Sequence, residues 1–356
     1  MSKLRVGIIF GGRSGEHEVS ITSASSIFKH IDRSKYEPVP IRIEKDGRWS
    51  FPDREPNART VAEAIQQARA QDTSSASTDP ALGPLELDVV FPVLHGPFGE
   101  DGTVQGLLEM IGLAYVGNGV LASAAGMDKA VMKMLFTARG LPVCPWHGFV
   151  RHEWEADRGA VLARIDALGL PLFVKPANLG SSVGISKVKS NAELVPAIEM
   201  ALDFDRKIVV EAAVPRAREI ECAVLGNDDP NTSVPGEILP SREFYDYEAK
   251  YLDDGSKTVI PADLPQGTVA EVRRLSIEAF RAIDGSGLAR VDFLVNGETG
   301  DIYLNEINTL PGFTNISMYS KMWEATGIGY AALVDRLIEL ALQRHRDKQR
   351  LKTSAL

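Results

Sequence analysis

The chain has 356 residues, of which 44% are hydrophobic and 24% charged, a composition typical of a soluble globular protein with two or three domains. Its net charge of −9 argues against nucleic acid as the main partner, because a phosphate backbone recruits an excess of Lys and Arg, but a single nucleotide needs only a local basic pocket. The two cysteines, Cys144 and Cys222, have no metal-type spacing, and no apolar run approaches the length of a membrane span, so we expect a reduced, cytoplasmic protein.

The first 30 residues predict a strand, a glycine-rich turn and a helix, in that order. Residues 4–10 form an apolar run, residues 11–15 supply the glycines, and residues 16–30 have helical character. This order is typical of an α/β ligand site, although the glycine spacing does not match the Rossmann fingerprint and the chain has no Walker A motif. Glu16 at the predicted helix start either grips a cationic ligand group or complements the helix dipole, and without further context the second role is the commoner one.

A second strand is predicted at residues 89–94, and it ends in the loop His95-Gly96-Pro97-Phe98-Gly99-Glu100-Asp101-Gly102. Loops at the carboxyl ends of parallel strands bind ligands in α/β folds, so His95 is a candidate site residue, although a lone histidine is more often structural. Residues 121–138 predict a helical segment, and a domain boundary is expected just before it, near residues 117–119.

A lysine precedes a loop rich in Gly and Ser between two predicted strands. Lys175 ends the apolar run at residues 170–174, residues 178–184 form the loop, and residues 185–188 are strand-like. A lysine at the end of a buried strand is costly unless an anion meets it, and such a loop offers backbone N–H groups and hydroxyls to that anion. We therefore favour a phosphate-binding loop over a hairpin turn whose lysine extends into solvent.

Two further stretches carry polar groups in patterns that leave two roles open. A strand at residues 208–210 ends at Glu211, and Glu219 and Glu221 alternate with apolar residues at strand period, so they share one face. That face is either solvated or holds ribose hydroxyls. Residues 244–251 combine aromatic and charged side chains, which favours a lid over a substrate, although an ordinary surface loop has a similar composition.

Residues 290–314 predict a β-hairpin with charged residues on one face, because two apolar-rich runs flank a turn rich in Gly and Asn. Strand side chains alternate between faces, so Arg290 and Asp292 share a face of one strand, and Glu306 and Asn308 share a face of the other. Oxygen ligands of this kind suit Mg²⁺. Taken alone, a solvated outer face with ordinary ion pairs explains the pattern slightly better.

We assign no binding or catalytic role to three segments. Residues 68–84 are polar and predict a surface loop or a tolerated insertion, and residues 142–145 predict a linker. Residues 335–350 predict a terminal helix with a basic end, for which a solvated face is the simplest interpretation.

With these motifs placed in order, the chain resembles the D-alanine–D-alanine ligases of the ATP-grasp superfamily. The resemblance runs from about residue 6 to residue 341, apart from the polar insertion near residues 50–84. No single motif is decisive, but eight in the right order are. The motifs are Gly11-Gly12-Arg13-Ser14-Gly15-Glu16-His17-Glu18-Val19-Ser20, His95-Gly96, Met127-Asp128-Lys129, Val174-Lys175-Pro176, Gly180-Ser181-Ser182-Val183-Gly184, residues 244–251, Arg290-Val291-Asp292 and Asn305-Glu306-Ile307-Asn308-Thr309-Leu310-Pro311-Gly312.

The resemblance implies an α/β (α+β) ATP-grasp fold with three domains. Residues 1–117 would form a doubly wound α/β substrate-binding domain, and residues 118–211 a central domain. Residues 212–356 would form a catalytic domain with a lid near residues 240–256. ATP would lie between the antiparallel sheets of the second and third domains.

The resemblance also implies the reaction. ATP would phosphorylate the carboxylate of one D-alanine, the amine of a second D-alanine would attack the acyl phosphate, and a tetrahedral intermediate would collapse to dipeptide and phosphate. Phosphoryl transfer depends mostly on positioning and charge neutralisation. The residues implied for the nucleotide phosphates are Lys129, Lys175, Ser182 and Lys250. Those implied for two Mg²⁺ ions, which Mn²⁺ can replace, are Asp292, Glu306 and Asn308.

The remaining implied site residues contact the amino acids, the base and the ribose. Arg290 and the backbone N–H of Gly312 would form an oxyanion hole. Glu16 would bind the ammonium of the first D-alanine beside His95. The network that orients this substrate and secures the lid would consist of Glu16, Ser181 and Tyr251. The residues implied for the second carboxylate are Ser317 and Met318, and those implied for adenine and ribose are Glu211, Ala212, Val214 and Glu219.

Ala212 departs from some relatives, which carry Lys at this position, but a backbone contact to adenine would survive that change. Two other functions compete with dipeptide synthesis. A D-alanine–D-lactate ligase makes an ester, and such relatives often carry Phe where this chain has Tyr251, which favours the dipeptide. A non-catalytic ATP-binding protein is disfavoured because every implied metal and oxyanion residue is present. By resemblance we also expect a homodimer, without nucleic acid or membrane partners.

Overall fold

The computed structural model describes residues 3–51, 86–239 and 257–352. The predicted lid, with Lys250 and Tyr251, lies outside the described residues, as does most of the polar insertion. Within the described residues the named strands form three sheets. None of the described helices combines the length and the apolar character that crossing a bilayer requires.

The N-terminal part alternates strands and helices around a five-stranded sheet. Its elements are β1 (Leu4–Gly11), α1 (His17–His30), β2 (Tyr36–Ile43), β3 (Trp49–Ser50), β4 (Val89–Pro92), α2 (Thr103–Met110) and β5 (Ala114–Tyr115). The strand order is β3-β2-β1-β4-β5, and only the edge strand β3 is antiparallel. The start of α1 and the loop after β4 therefore lie together at the carboxyl edge of the parallel strands, as predicted.

The helical segment predicted over residues 121–138 is confirmed, and the structure divides it into two helices, α3 (Val120–Met127) and α4 (Lys129–Ala138). Asp128 between them has the extended φ and ψ of −85° and 101°. Its Oδ1 accepts hydrogen bonds from the backbone N–H groups of Ala130 and Val131, both at 3.1 Å, so Asp128 caps the second helix.

The middle of the chain forms a four-stranded antiparallel sheet in the order β6-β9-β7-β8. One face packs on helices through a cluster that includes Val174, Val210 and Ile198. The opposite face carries Lys175 and Glu211, since the register pairs Phe173 with Glu211. The elements are β6 (Trp146–Val150), α5 (Arg151–Ala156), α6 (Arg158–Asp166), β7 (Leu172–Pro176), β8 (Ser186–Val188), α7 (Asn191–Leu202) and β9 (Lys207–Ala212).

The C-terminal part forms the third sheet, which is antiparallel. Its elements are β10 (Ala217–Gly226), β11 (Asn231–Thr232), β12 (Gly236–Leu239), β13 (Lys257–Val259), α8 (Gln266–Ala282), β14 (Gly287–Asn296), β15 (Ile302–Asn308), α9 (Met318–Ala325) and α10 (Tyr330–Gln349). The order is β13-β12-β10-β14-β15, with β11 paired to β10. Apolar residues such as Ile220 and Val291 cover one face against Leu275 and Phe280 of α8, which leaves the other face for polar groups.

The predicted terminal helix is confirmed as α10, and residues 346–350 at its basic end are exposed, but its other face is buried, which the sequence did not indicate. Leu333, Leu337 and Ile338 are buried in one hydrophobic cluster together with Val6 and Val89 of the first sheet. The first and last parts of the chain therefore share a core. The proposed domain boundaries after residues 117 and 211 stay a prediction.

Candidate active site

The hairpin of β14 and β15 has the predicted pairing. Arg290 lies opposite Asn308, and Asp292 lies opposite Glu306. On its other side β14 pairs with β10, which places Glu221 opposite Asp292. One face of this sheet therefore gathers an arginine, three carboxylates and an amide.

This face is half-buried, and its charged groups are paired with one another, so its interpretation as a solvated outer face is wrong. The Arg290 side chain is 20% exposed and that of Asp292 is 14% exposed. Arg290 donates to Asp292 from Nε at 2.7 Å and from a terminal nitrogen at 2.6 Å, and its Nε lies 3.2 Å from a Glu221 oxygen. Burial acts to lower the pKa of Arg290, but the carboxylates of Asp292, Glu221 and Glu306 raise it well above its usual range.

The donor set of Asp292, Glu306 and Asn308 fits a hard divalent cation, because it offers carboxylate and amide oxygens on adjacent strands. Among the described residues no group of three or more His, Cys, Asp or Glu side chains is arranged to hold a metal ion. Asp292 accepts from Arg290 and from the Asn308 amide nitrogen at 3.0 Å. Both Asp292 oxygens therefore already accept hydrogen bonds, and Asp292, Glu306 and Asn308 are the residues that would hold an ion here.

Lys175 and Glu211 face the site from the central sheet. Both are buried, and Lys175 Nζ lies 3.1 Å from Glu211 Oε2 and 3.4 Å from Asn305 Oδ1. Burial acts to lower the pKa of Lys175, but Glu211 and then Glu306 raise it above its usual value, so the lysine stays charged. The buried cation predicted from residues 170–175 is thus present, and it lies next to the hairpin residue Asn305.

Lys129 and the serine loop lie beside this pair. Lys129 is the first residue of α4, and its Nζ donates to the Leu179 carbonyl at 2.6 Å. Ser181 and Ser182 both have positive φ, at 53° and 59°, which costs free energy for residues with a side chain. Strained backbone of this kind persists where surrounding contacts hold it, and it is common in ligand-binding loops.

Glu16 meets the serine loop. It is the residue before α1, and its Oε1 accepts a hydrogen bond of 2.5 Å from Ser181 Oγ. A Cβ atom on Gly96 would lie 2.8 Å from Glu16 Oε2, so the backbone of the loop after β4 approaches this carboxylate closely. Two members of the predicted network are therefore joined, whereas Tyr251 lies outside the described residues.

His95 is buried, and the protein engages both of its ring nitrogens. Nδ1 lies 3.1 Å from the Leu310 carbonyl, and Nε2 lies 3.2 Å from Ser23 Oγ. Burial lowers the pKa of His95, so the ring is neutral and donates to the carbonyl through Nδ1. His95 thereby ties the segment after β15 to α1, which is the structural role that the sequence left open.

The segment after β15 carries Gly312, Ser317 and Met318. Ser317 Oγ accepts from the Thr314 N–H at 3.0 Å, and a Cβ atom on Gly312 would lie 3.5 Å from the same oxygen. Met318 begins α9, and its terminal methyl group lies 2.6 Å from where a Cβ on Gly236 would be. The three predicted residues are therefore close neighbours at the C-terminal end of the hairpin.

Three residues predicted to contact nucleoside groups lie on or after β9 and β10, which follow one another in the chain but belong to different sheets. Ala212 ends β9 and donates its N–H to Pro145 at 2.9 Å, Val214 follows it, and both are half-buried. Glu219 lies on β10, two residues before Glu221, so the two side chains share a face.

Two residues at the site were missed from the sequence. Lys133 is fully buried and contacts Glu211, and the signal available was its position four residues after Lys129, on the same helix face. Glu100 is half-buried, and its Oε1 accepts from the Gly96 N–H at 2.8 Å. Burial, followed by the negative charge of Glu16, raises the pKa of Glu100 to about 8.

Comparison with known proteins identifies the family. A model described as D-ala D-ala ligase N-terminus matches residues 5–118, and one described as D-ala D-ala ligase C-terminus matches residues 135–339. The chain belongs to the D-alanine–D-alanine ligase family. Solved structures of this family resemble the chain as well, and the three sheets correspond to the expected ATP-grasp fold.

Relatives of this ligase family match the whole chain. A D-alanine–D-alanine ligase from Heliobacterium modesticaldum is 50% identical over 100% of this chain and 99% of its own length, and one from Solibacter usitatus is 50% identical over 98% of each. The solved D-alanine–D-alanine ligase of Coxiella burnetii is 37% identical, with a TM-score of 0.81 over 98% of this chain and 97% of that chain. The VanG D-Ala:D-Ser ligase of Enterococcus faecalis is 35% identical, with a TM-score of 0.81 over 96% of this chain and 100% of that one.

Proposed function

We propose that the protein joins two molecules of D-alanine to D-alanyl-D-alanine in an ATP-dependent reaction that releases ADP and phosphate, for the synthesis of peptidoglycan precursors. The observation that carries the proposal is the meeting of three groups at one place. These are the charged face of the hairpin, the buried Lys175 and the Glu16–Ser181 hydrogen bond, which come from three different parts of the chain. Curated relatives of about half-identical sequence are named for this activity.

The nucleotide would lie between the central and C-terminal sheets. Lys129 and Lys175 would neutralise phosphate charge, together with Ser182 and, in the lid, Lys250. Positioning and neutralisation of this kind supply most of the catalysis of phosphoryl transfer. Glu211, Ala212 and Val214 would contact the base, and Glu219 the ribose.

Magnesium would be held by Asp292, Glu306 and Asn308. Such an ion neutralises the charge that builds on the transferring phosphoryl group. Arg290 would supply a further positive charge beside these residues, and its carboxylate neighbours keep it charged at all ordinary pH values.

The amino acids would lie between α1 and the segment after β15. Glu16, held by Ser181, would bind the ammonium of the first D-alanine, and Ser317 and Met318 would hold the carboxylate of the second. Arg290 and the N–H of Gly312 would stabilise the oxyanion that forms when the second amine attacks the acyl phosphate. His95 would act indirectly, by fixing the Leu310 carbonyl and hence the start of this segment.

The proposal is tested by incubating the purified chain with ATP and Mg²⁺ and either D-alanine, L-alanine, or D-alanine plus D-lactate. Phosphate release is measured, and the products are identified by mass spectrometry. We expect D-alanyl-D-alanine from D-alanine alone and no product from L-alanine. An ester as main product at neutral pH would replace the proposal with the D-alanine–D-lactate activity, and no phosphate release with any substrate would refute ligation.

Tyr251 supplies a second test of amide against ester formation. If its hydroxyl favours the dipeptide, Tyr251→Phe should raise the proportion of ester when D-lactate is present. An unchanged ratio of amide to ester in this variant would remove Tyr251 as the determinant.

We also propose that the protein is a homodimer in the cytoplasm. Sedimentation of the purified chain would show a single species of half the expected mass if the dimer is wrong.

A further inference from the structure

Lys133 and Glu211 form a buried ion pair in the wall of the proposed nucleotide site. Lys133 is 0% exposed and Glu211 is 2% exposed, and Lys133 Nζ lies 3.4 Å from Glu211 Oε2. Removing two charges from water is costly, and breaking such a pair leaves an uncompensated buried charge. The roles assigned above use Glu211 but give Lys133 none.

The two oxygens of Glu211 differ in their surroundings. Oε2 is close to both Lys133 and Lys175, whereas Oε1 is buried without any hydrogen-bond partner among the residues that the structure describes. Leaving a buried acceptor unsatisfied costs free energy, so this oxygen is suited to a donor that a ligand brings. An ionised carboxylate accepts hydrogen bonds only, so the ligand group must be an N–H or O–H.

The charge of Glu211 depends on its lysines. Burial acts to raise the pKa of Glu211, but Lys133 and, after it, Lys175 lower the pKa below its usual value. Lys175 is also 3.4 Å from Asn305 Oδ1 and is assigned to a phosphate, so nucleotide binding would draw it away from Glu211. Lys133 has a different anchor, because its Nζ donates to the Asn305 carbonyl at 3.3 Å.

We propose that Lys133 is a positioning residue that holds Glu211 as an ionised acceptor and so makes the nucleotide site select a 6-amino purine over a 6-oxo purine. This inference rests on the proposed placement of the adenine base at Glu211. A 6-amino group donates to Oε1 and satisfies it. A 6-oxo group turns a carbonyl lone pair toward the carboxylate, so neither this carbonyl oxygen nor Oε1 receives a hydrogen bond. Sites built for a hydrogen bond reject analogues that lack it in this way.

The test compares ATP with inosine triphosphate, in which a carbonyl replaces the 6-amino group. Steady-state kcat and KM for each nucleotide are measured with D-alanine for the wild-type chain, Lys133→Met, Lys133→Arg and Lys29→Met. Lys29 is an exposed lysine on α1, so Lys29→Met controls for the loss of a charge elsewhere. Displacement of a fluorescent ATP analogue by ATP and by inosine triphosphate gives the same comparison without turnover.

We expect the wild type to prefer ATP by about 100-fold in kcat/KM. Lys133→Met should reduce this preference about tenfold or more, chiefly by raising KM for ATP, because an uncharged Met lets Glu211 turn or take up a proton. Lys133→Arg should restore part of the preference, and Lys29→Met should leave it unchanged. An equal loss with both nucleotides, so that the preference is unchanged, would overturn the proposal and leave Lys133 a purely structural residue.

A second variant keeps the inference testable if Lys133→Met does not fold. Glu211→Gln has nearly the same shape but presents an amide that can donate to a 6-oxo group. We expect this variant to lose affinity for ATP and gain affinity for inosine triphosphate, and an unchanged preference would overturn the proposal. If the wild type binds ATP selectively but makes no dipeptide, the proposed function fails while the selectivity stands, so the two failures are distinguishable.

Discussion

The carboxyl group of Glu100 lies among other acidic groups, and its protonation should make the free energy of unfolding depend on pH. Its pKa is raised to about 8, first by burial and then by Glu16, with Glu306 adding to the effect. The native state therefore keeps a proton that the unfolded chain releases above its ordinary pKa near 4.5. The stability that this proton contributes is fully present below pH 4.5 and is lost as the pH rises through 8.

Glu100→Gln cannot ionise, so its thermal stability should exceed that of the wild type by an amount that grows between pH 5 and pH 8. Because Glu100 is only half-buried, we expect about 1–2 kcal/mol at the upper end. The measurement is the melting temperature of both proteins across this range, without nucleotide or divalent cations. Parallel curves would contradict the raised pKa.

Asp292 is the residue of β14 that we propose to hold the metal ion. Asp292→Asn keeps the size of the side chain and one acceptor for Arg290, which still has Glu221 nearby, so the fold should persist. Loss of the carboxylate should lower kcat roughly 100-fold or more, because metal-ion stabilisation of developing charge is worth several kcal/mol. The matched control is Glu298→Gln in the exposed turn of the same hairpin, which should keep full activity. Near-wild-type turnover in Asp292→Asn would show that the metal assignment is wrong.

At the scale of an element, the start of α4 depends on Asp128. This residue caps the helix and forms an ion pair with Lys207 on β9, so it fixes both where the helix begins and how it meets the central sheet. Lys129 and Lys133 follow within the first two turns. The Asp128 carboxylate therefore helps to set the position of Lys129 beside the serine loop and that of Lys133 beside Glu211.

Asp128→Ala should lower the free energy of unfolding by about 2 kcal/mol, of which roughly half is the lost cap and the rest the lost partner of Lys207. Asp128→Asn retains the capping oxygen and should lose less. Urea unfolding followed by circular dichroism measures the free energy of unfolding of both variants. KM for ATP should rise more in the alanine variant than in the asparagine variant. Equal losses in the two variants would mean that the cap contributes little.

The sequence predicted elements whose signals are local and missed features that depend on distant partners. The sequence predicted that Arg290, Asp292, Glu306 and Asn308 lie together. Side chains alternate between the two faces of a strand, and the two strands are joined by a short turn, so both signals are local. The break at Asp128 was missed because good helix formers continue on both sides and because the partner, Lys207, is far along the chain. Nor does a sequence separate a fully buried lysine such as Lys133 from an exposed one, since its burial depends on the approach of β9 and β15.

At the scale of the whole molecule, Arg344 on α10 joins the two ends of the chain. Its guanidinium donates to the Gly117 carbonyl, to Ser286 Oγ at 2.6 Å and to the Tyr115 carbonyl at 3.0 Å. It also lies over the Tyr115 ring, 4.3 Å from the centroid. Together with the cluster that α10 shares with β1 and β4, these contacts hold the N-terminal sheet against the C-terminal one. The proposed amino acid site lies between these two parts, so we expect its geometry to depend on that connection.

Arg344→Met should lower the free energy of unfolding by about 2–4 kcal/mol, because two carbonyls lose a charged donor. Arg344→Lys should recover only part of this loss, since an ammonium cannot reproduce the planar fork. Arg350→Met, which removes an exposed arginine just after the end of α10, should have almost no effect. Hydrogen exchange measured by mass spectrometry locates the change. Since the first and third sheets share a core, amides of β1 and β14 should exchange faster together in Arg344→Met, while those of β7 in the central sheet keep their wild-type rates. Faster exchange in β1 alone would mean that the two ends unfold independently, and that Arg344 stabilises the N-terminal sheet without coupling it to the hairpin of β14 and β15.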